Sequence, residues 1–207
     1  MHFPAILIPF FVAGGLSLVF VYFADRHTST PGARSFAVFM LSMAIYCLGY
    51  GMELSSPDLA TALFWNNIQY IGILSFPNLY LIFVLQYTGR GRILTSRNLG
   101  LLFLPVIFFY IVKLLDGQLQ WVYAAPHMEL VNGNLVLAFE WGLLYLPISI
   151  YQIVVVTWAN ILLIRQFRYA SRVHRMQIAI MLLAASVVYL VNLLYMLDVS
   201  LSPALDG

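Results

Sequence analysis

Ser42, Tyr46, Gly49, Tyr50 and Glu53 recur at the 3.6-residue period, so a helix here carries a polar stripe that ends in a carboxylate. Further on, Trp65, Gln69, Gly72, Phe76 and Tyr80 share one helical face, with Asn66 and Tyr70 on the adjoining one. Both sets interrupt long apolar runs. Hydroxyls, amides and a carboxylate are recognition chemistry: they orient a ligand by hydrogen bonds and match its charge, and in an apolar medium each is costly unless partnered. Bond-making chemistry lacks its usual signatures. Cys47 is the single cysteine, and His2, His27, His127 and His174 all fall in loops or at ends, which leaves no imidazole pair for haem or a transition metal. Lys113, the one lysine, sits at the end of an apolar run, a poor place for a retinal Schiff base. Neither H-E-x-x-H, nor G-x-S-x-G, nor a Gly-rich phosphate loop occurs. No metal, cofactor or nucleic-acid partner is expected.

The elements that must position these groups follow from composition. Of 207 residues, 62% are hydrophobic and 9% charged, against roughly 45–50% and about 25% in a soluble domain. So few charges cannot wet a soluble surface, and the solvent is lipid. Apolar runs at about 6–23, 36–52, 63–87, 99–115, 143–164 and 177–197 each approach the ~20 residues that cross the hydrocarbon as a helix. The expected fold is all-α: one membrane domain over 1–207, a polytopic bundle with six spans. Arg26, Arg34, Arg90, Arg92, Arg97, Arg165, Arg168, Arg172 and Arg175 fall in alternate loops, while Glu53, Asp58, Asp116, Glu129, Glu140, Asp198 and Asp206 occupy the others with Lys113 nearby. The positive-inside rule makes the arginine side cytoplasmic and the N-terminus extracytoplasmic, in a cell membrane. The first span lacks a basic region before it and reads as retained rather than as a cleaved signal.

The short connection 54–62 makes spans two and three antiparallel neighbours, so Glu53 and the turn 65–70 lie at similar depth near the outer surface, where they could line an outward-facing pocket. The plainer alternative is that Glu53 is a solvated helix end and that Asn66 and Gln69 are interhelical glue, worth about 0.6–2 kcal/mol per contact. Asn78, Gln86, Gln152, Asn160 and Asn192 read as packing glue, with Asn192 beside Tyr189 and Tyr195 a weaker pocket candidate. Pro77, Pro105 and Pro147 fall inside spans three, four and five, where each should kink its helix and free a carbonyl one turn earlier. Segment 118–140 is too polar to span. Its Asn132-Gly133 pair between β-prone runs predicts a small extracytoplasmic hairpin, either a wet loop or a lid over the bundle mouth, with Trp121, Tyr123 and Trp141 at headgroup depth. The run Arg165, Arg168, Arg172, Arg175 is read as a topology signal meeting anionic headgroups.

The string Ala44-Ile45-Tyr46-Cys47-Leu48-Gly49-Tyr50-Gly51-Met52-Glu53-Leu54, followed by Phe64-Trp65-Asn66-Asn67-Ile68-Gln69-Tyr70-Ile71-Gly72, Pro77 and Phe83-Val84-Leu85-Gln86-Tyr87-Thr88-Gly89-Arg90, resembles the N-terminal seven-helix sensor region of bacterial and archaeal histidine kinases and some diguanylate cyclases. The glutamate, the Gln-Tyr-x-Gly turn, the proline and the Tyr-Thr-Gly exit match that family, with Tyr46 where it usually has tryptophan. The resemblance implies a seventh span, for which 201–206 looks like a lead-in, so the chain is expected to be a sensor module without its output domain. It also implies a homodimer.

The leading expectation is therefore a non-enzymatic receptor module of the two-component, histidine-kinase type. An unidentified small molecule would enter from the outer face, and Tyr50, Glu53, Trp65, Gln69 and Tyr70 would hold it. Glu53 supplies charge or an acceptor, Gln69 and Tyr70 orienting hydrogen bonds, and Trp65 an apolar wall. A small solute transporter, with the stripe as a solute or proton path, is the alternative; a cytoplasmic-side buried acid to continue that path is missing from the pattern.

Overall fold

The computed structural model describes residues 7–27, 32–131 and 133–196, with side chains as far as 187. Its helices are α1 (Ile8–Arg26), α2 (Ala33–Leu54), α3 (Leu59–Tyr87), α4 (Ser96–Leu114), the single turn α5 (Asp116–Leu119), α6 (Tyr145–Phe167) and α7 (Arg172–Met196); a two-stranded antiparallel sheet, β1 (Tyr123–Val131) with β2 (Asn134–Trp141), lies between α5 and α6. The protein is mostly helical, and among the described residues five helices, α1 to α4 and α6, are long and apolar enough to cross a membrane. The expected sixth span falls on α7, which is not one of those five. Residues 201–206 and the side chains of Tyr189, Asn192 and Tyr195 lie outside the described residues.

The chain divides into two compact units, Met1–Val156 and Thr157–Gly207. In the first, α1 packs on α2, α2 on α3 and α3 on α4, so helices adjacent in sequence are adjacent in space. α3 is the centre: 67% of its most apolar window is buried, against 6% for α1. The side chains that α1 leaves outside, among them Ile8, Val12, Leu16, Phe20 and Phe23, are apolar, which suits lipid and would not suit water. In the second unit, Arg168, Arg172 and Arg175 are exposed, and Arg175 Nη2 donates to the Arg168 carbonyl at 3.3 Å.

Two glycines set the α2–α3 contact. A Cβ on Gly49 would lie 2.7 Å from Gln69 Cβ, and one on Gly72 would lie 2.5 Å from the Ser42 carbonyl and 2.8 Å from Tyr46 N. The stripe foreseen from sequence thus includes the positions at which the two backbones touch, as small residues permit between membrane helices. Farther along the same seam, Phe36, Phe39, Phe76, Tyr80 and Phe83 form an aromatic stack with centroid separations of 5.3 to 6.4 Å. Helix starts are capped where the chain leaves a loop: Asp58 accepts from Thr61 N at 2.9 Å and Thr95 from Asn98 N at 3.3 Å.

The prolines differ in effect. Pro77 and Pro105 lie inside α3 and α4. Pro147 instead occupies the first turn of α6, where a backbone N–H has no helical partner to lose, so the expected kink in the fifth span is not required. Pro77 deprives the Ile73 carbonyl of its helical donor, and Gln152 Nε2 from α6 donates to that oxygen at 3.2 Å. One turn away, Asn78 Nδ2 donates to the Leu102 carbonyl of α4 at 2.8 Å, and Tyr151 Oη of α6 lies 2.8 Å from that carbonyl and 3.0 Å from Asn78 Oδ1. Residues read from sequence as scattered glue therefore join α3, α4 and α6 at one level.

The hairpin closes through a two-residue loop, since Val131 pairs with Asn134. Gly133 has φ +78°, the positive φ that a type I′ turn demands. The sheet reaches one residue beyond the expected segment, to Trp141. A bulge interrupts the register between Ala124 and His127, at Ala125 (φ +46°) and Pro126, a residue with no ladder donor to offer.

Candidate functional site

At the end of the first unit where α2 stops and α3 begins, the side chain of Glu53 turns into the protein. It is 6% exposed, so the alternative of a solvated helix end is wrong. Asn66 Nδ2 donates to Glu53 Oε2 at 2.9 Å, and Gln69 Nε2 donates to the same oxygen. The spacing explains the meeting. Asn66 and Gln69 are three apart and so face one way on α3, and Gly49, one turn before Glu53, lets that face approach. Both amides are 2% exposed, and the two oxygens they do not offer to Glu53, Asn66 Oδ1 and Gln69 Oε1, are buried with no hydrogen-bond donor. A buried acceptor without a donor costs about 1–3 kcal/mol, so this node holds unspent hydrogen-bonding capacity.

Next to it lies a second group, which sequence reading counts among the helix-end and loop charges. Lys113, at the end of α4, is 2% exposed, not a loop charge, and Asp116 in α5 is buried with it. Their charged atoms are 3.4 Å apart. Asp116 also accepts from Val122 N and Tyr123 N, each at 2.8 Å, so one carboxylate ties the start of β1 to the end of α4. The Lys113 ammonium sits 3.7 Å from the Tyr123 ring centroid and 4.9 Å from that of Tyr70, a cation held against two π faces. Tyr70 and Tyr123 meet edge to face at 5.8 Å, and Phe139 of β2 stacks on Tyr123 at 3.5 Å.

Of the three aromatic residues expected at headgroup depth, Tyr123 differs in facing inward. It is buried, whereas Trp121 and Trp141 are exposed. Burial, and then the neighbouring Tyr70, push its phenol well above the usual tyrosine range, so it stays a neutral hydrogen-bonding group.

Of the five residues foreseen as a site, Glu53 and Gln69 meet directly, and Tyr70 lies beside them under the hairpin. Tyr50 packs edge-on against Phe10 of α1 at 4.7 Å and is half-buried. Trp65 is half-buried and packs on Phe64 at 5.4 Å. Asn66 was visible in the pattern, open between a pocket residue and interhelical glue, and was not among the five. Lys113, Asp116 and Tyr123 were missed as part of the cluster; a lysine three residues before an aspartate at a helix end is the signal that could have paired them.

The family model for the N-terminal 7TM region of histidine kinase matches residues 9–207. Neither the curated proteins nor the solved structures contain a match to the chain.

Proposed function

The chain belongs to the family of N-terminal 7TM regions of histidine kinases, and on that premise we propose that it is the ligand-sensing input of such a receptor. It is a multi-pass membrane protein, and the family is a non-catalytic input region. The finer reading is ours. The N-terminus and the hairpin face outward, as the placement of the nine arginines supports; the ligand reaches the node beneath the hairpin; and the family's working unit is a pair of chains. Glu53, Gln69 and Tyr70, with Asn66 and Tyr123, form the inner site, flanked by Tyr50 and Trp65.

The observation that carries this reading is the buried carboxylate with two amides whose oxygens have no donor, covered by a hairpin anchored through Tyr123 and Asp116. Structural glue would be expected to satisfy itself. A ligand that completes the node in one helix arrangement and not in another shifts the balance between them by its difference in affinity. The test is kinase output: in membranes containing the receptor, Glu53→Gln and Gln69→Ala should each change autophosphorylation. Unchanged output in both would refute the site, and solute flux through vesicles holding only the 207-residue chain would favour a transporter. For orientation, Leu130→Cys in a Cys47→Ala background should react with an impermeant maleimide on intact cells.

A further inference from the structure

Among the described residues, two acids and one base are buried as ionisable groups: Glu53, Asp116 and Lys113. Lys113 and Asp116 form the ion pair. Glu53 has no salt-bridge partner, and its neighbours at hydrogen-bond distance are two neutral amides. Lys113 acts on Glu53 only from beyond ion-pair distance and is shared with Asp116, so one positive charge serves two buried carboxylates. A carboxylate in an apolar interior without a contacting countercharge is costly, and here the amides that donate to it hold their own oxygens buried and unpaired. What the node lacks is one positive charge and donors for at least two acceptors. A protonated primary amine supplies both, since an ammonium has three N–H donors and no acceptor. The neighbourhood already accommodates that chemistry, because the ammonium of Lys113 lies against the rings of Tyr70 and Tyr123.

We propose that the Glu53–Asn66–Gln69 node is a binding site for a small ligand bearing a primary ammonium group, with the Glu53 carboxylate as countercharge and the Asn66 and Gln69 amide oxygens as acceptors. The inference rests on the sensor reading above and names the class of ligand. Lys113 is in contact with Asp116 and reaches Glu53 only at longer range, so the direct contact on the Glu53 carboxylate is left to the incoming ammonium. The tyrosine rings give an apolar wall for the part of the ligand beyond the nitrogen.

The test uses the 207-residue chain in lipid nanodiscs and methylammonium as probe, against tetramethylammonium and sodium at equal ionic strength. Methylammonium has N–H donors, tetramethylammonium has none, and sodium is the bare cation. Methylammonium at about tenfold its Kd should raise the thermal midpoint by about 3–6 °C, with the controls giving no comparable rise and Glu53→Gln losing the effect. Radiolabelled methylammonium should be retained in equilibrium dialysis and competed by its unlabelled form alone, a readout that needs no variant. An equal rise with tetramethylammonium, a rise with sodium only, or no retention overturns the proposal. If methylammonium is not retained while Glu53→Gln still changes kinase output, the ligand class fails and the sensor stands; retention with unresponsive output would leave the site and remove the sensor.

Discussion

The contact between Gln152 and the Ile73 carbonyl offers a test in which one substitution should cancel the cost of another. In a regular helix, the amide of residue 77 would donate to the carbonyl of residue 73; proline has no amide hydrogen, and the donor comes from α6. At 3.2 Å this bond is at the long end of the N–H···O range, so its worth in an apolar medium is about 1 kcal/mol, and an orphaned carbonyl adds a penalty at the low end of about 1–3 kcal/mol. Gln152→Leu keeps similar volume and should destabilise the protein by about 1–2 kcal/mol. In a Pro77→Ala background the backbone N–H restored at position 77 can satisfy the Ile73 carbonyl, and the same change should cost no more than about 0.5 kcal/mol. The coupling, about 1 kcal/mol, can be measured by unfolding the four proteins in mixed micelles of rising dodecyl sulfate content, followed by circular dichroism. Equal costs of Gln152→Leu in both backgrounds would refute the claim that Gln152 substitutes for the donor lost at Pro77.

Gly72→Ala should destabilise by about 1–3 kcal/mol through overpacking, because its methyl would fall 2.5 Å from a backbone oxygen, whereas Gly15→Ala, with nothing within 4 Å, should be neutral or stabilising; thermal melts in detergent compare them. Asp116→Ala leaves Lys113 buried and unpaired and should cost about 3–5 kcal/mol, with faster hydrogen exchange at the amides of Val122 and Tyr123, and adding Lys113→Met should recover part of the loss. The Asp58 carboxyl is held below its ordinary range by the Thr61 N–H, which donates to it, and by the Thr61 hydroxyl. Its folded value lies below the unfolded one, so its contribution is present above the unfolded value and disappears as pH falls through the folded one. The drop in melting temperature on acidification below about pH 4 should be smaller in Asp58→Asn.

Helix periodicity and the Asn-Gly signal made the α2 stripe, the α3 faces and the hairpin legible, because each depends on residues close in sequence. Glu53 stood out because an acid at the end of a polar stripe in an apolar chain is conspicuous. The pairing of Glu53 with Asn66 and Gln69 was half visible, since the short connection fixes the neighbours but not the side-chain directions. The burial of Lys113 and Asp116 was not legible for a physical reason: charge counting assigns every helix-end charge to water, and cannot see that α5 and β1 fold back to cover these two. Pro147 was misread because the start of α6 is set by the preceding turn, not by the apolar pattern. The α3–α4–α6 junction was missed since Asn78, Leu102 and Tyr151 are far apart in sequence and one partner is a backbone oxygen.

The two glycine contacts between α2 and α3 restrict how this pair of helices can move. Gly49 opposes Gln69 and Gly72 opposes Ser42 and Tyr46, so the backbones meet at two levels along their length. A slide of one residue, about 1.5 Å, would carry a side-chain carbon into one of these contacts, and a scissoring motion about either level would collide at the other. α2 and α3 therefore behave as a single plank. An event at Glu53 can be transmitted along it as a tilt or a rotation, but not as a piston stroke between its two halves. The surface left to yield is one where side chains make the seam: the junction where Asn78 and Ile73 are held by α4 and α6.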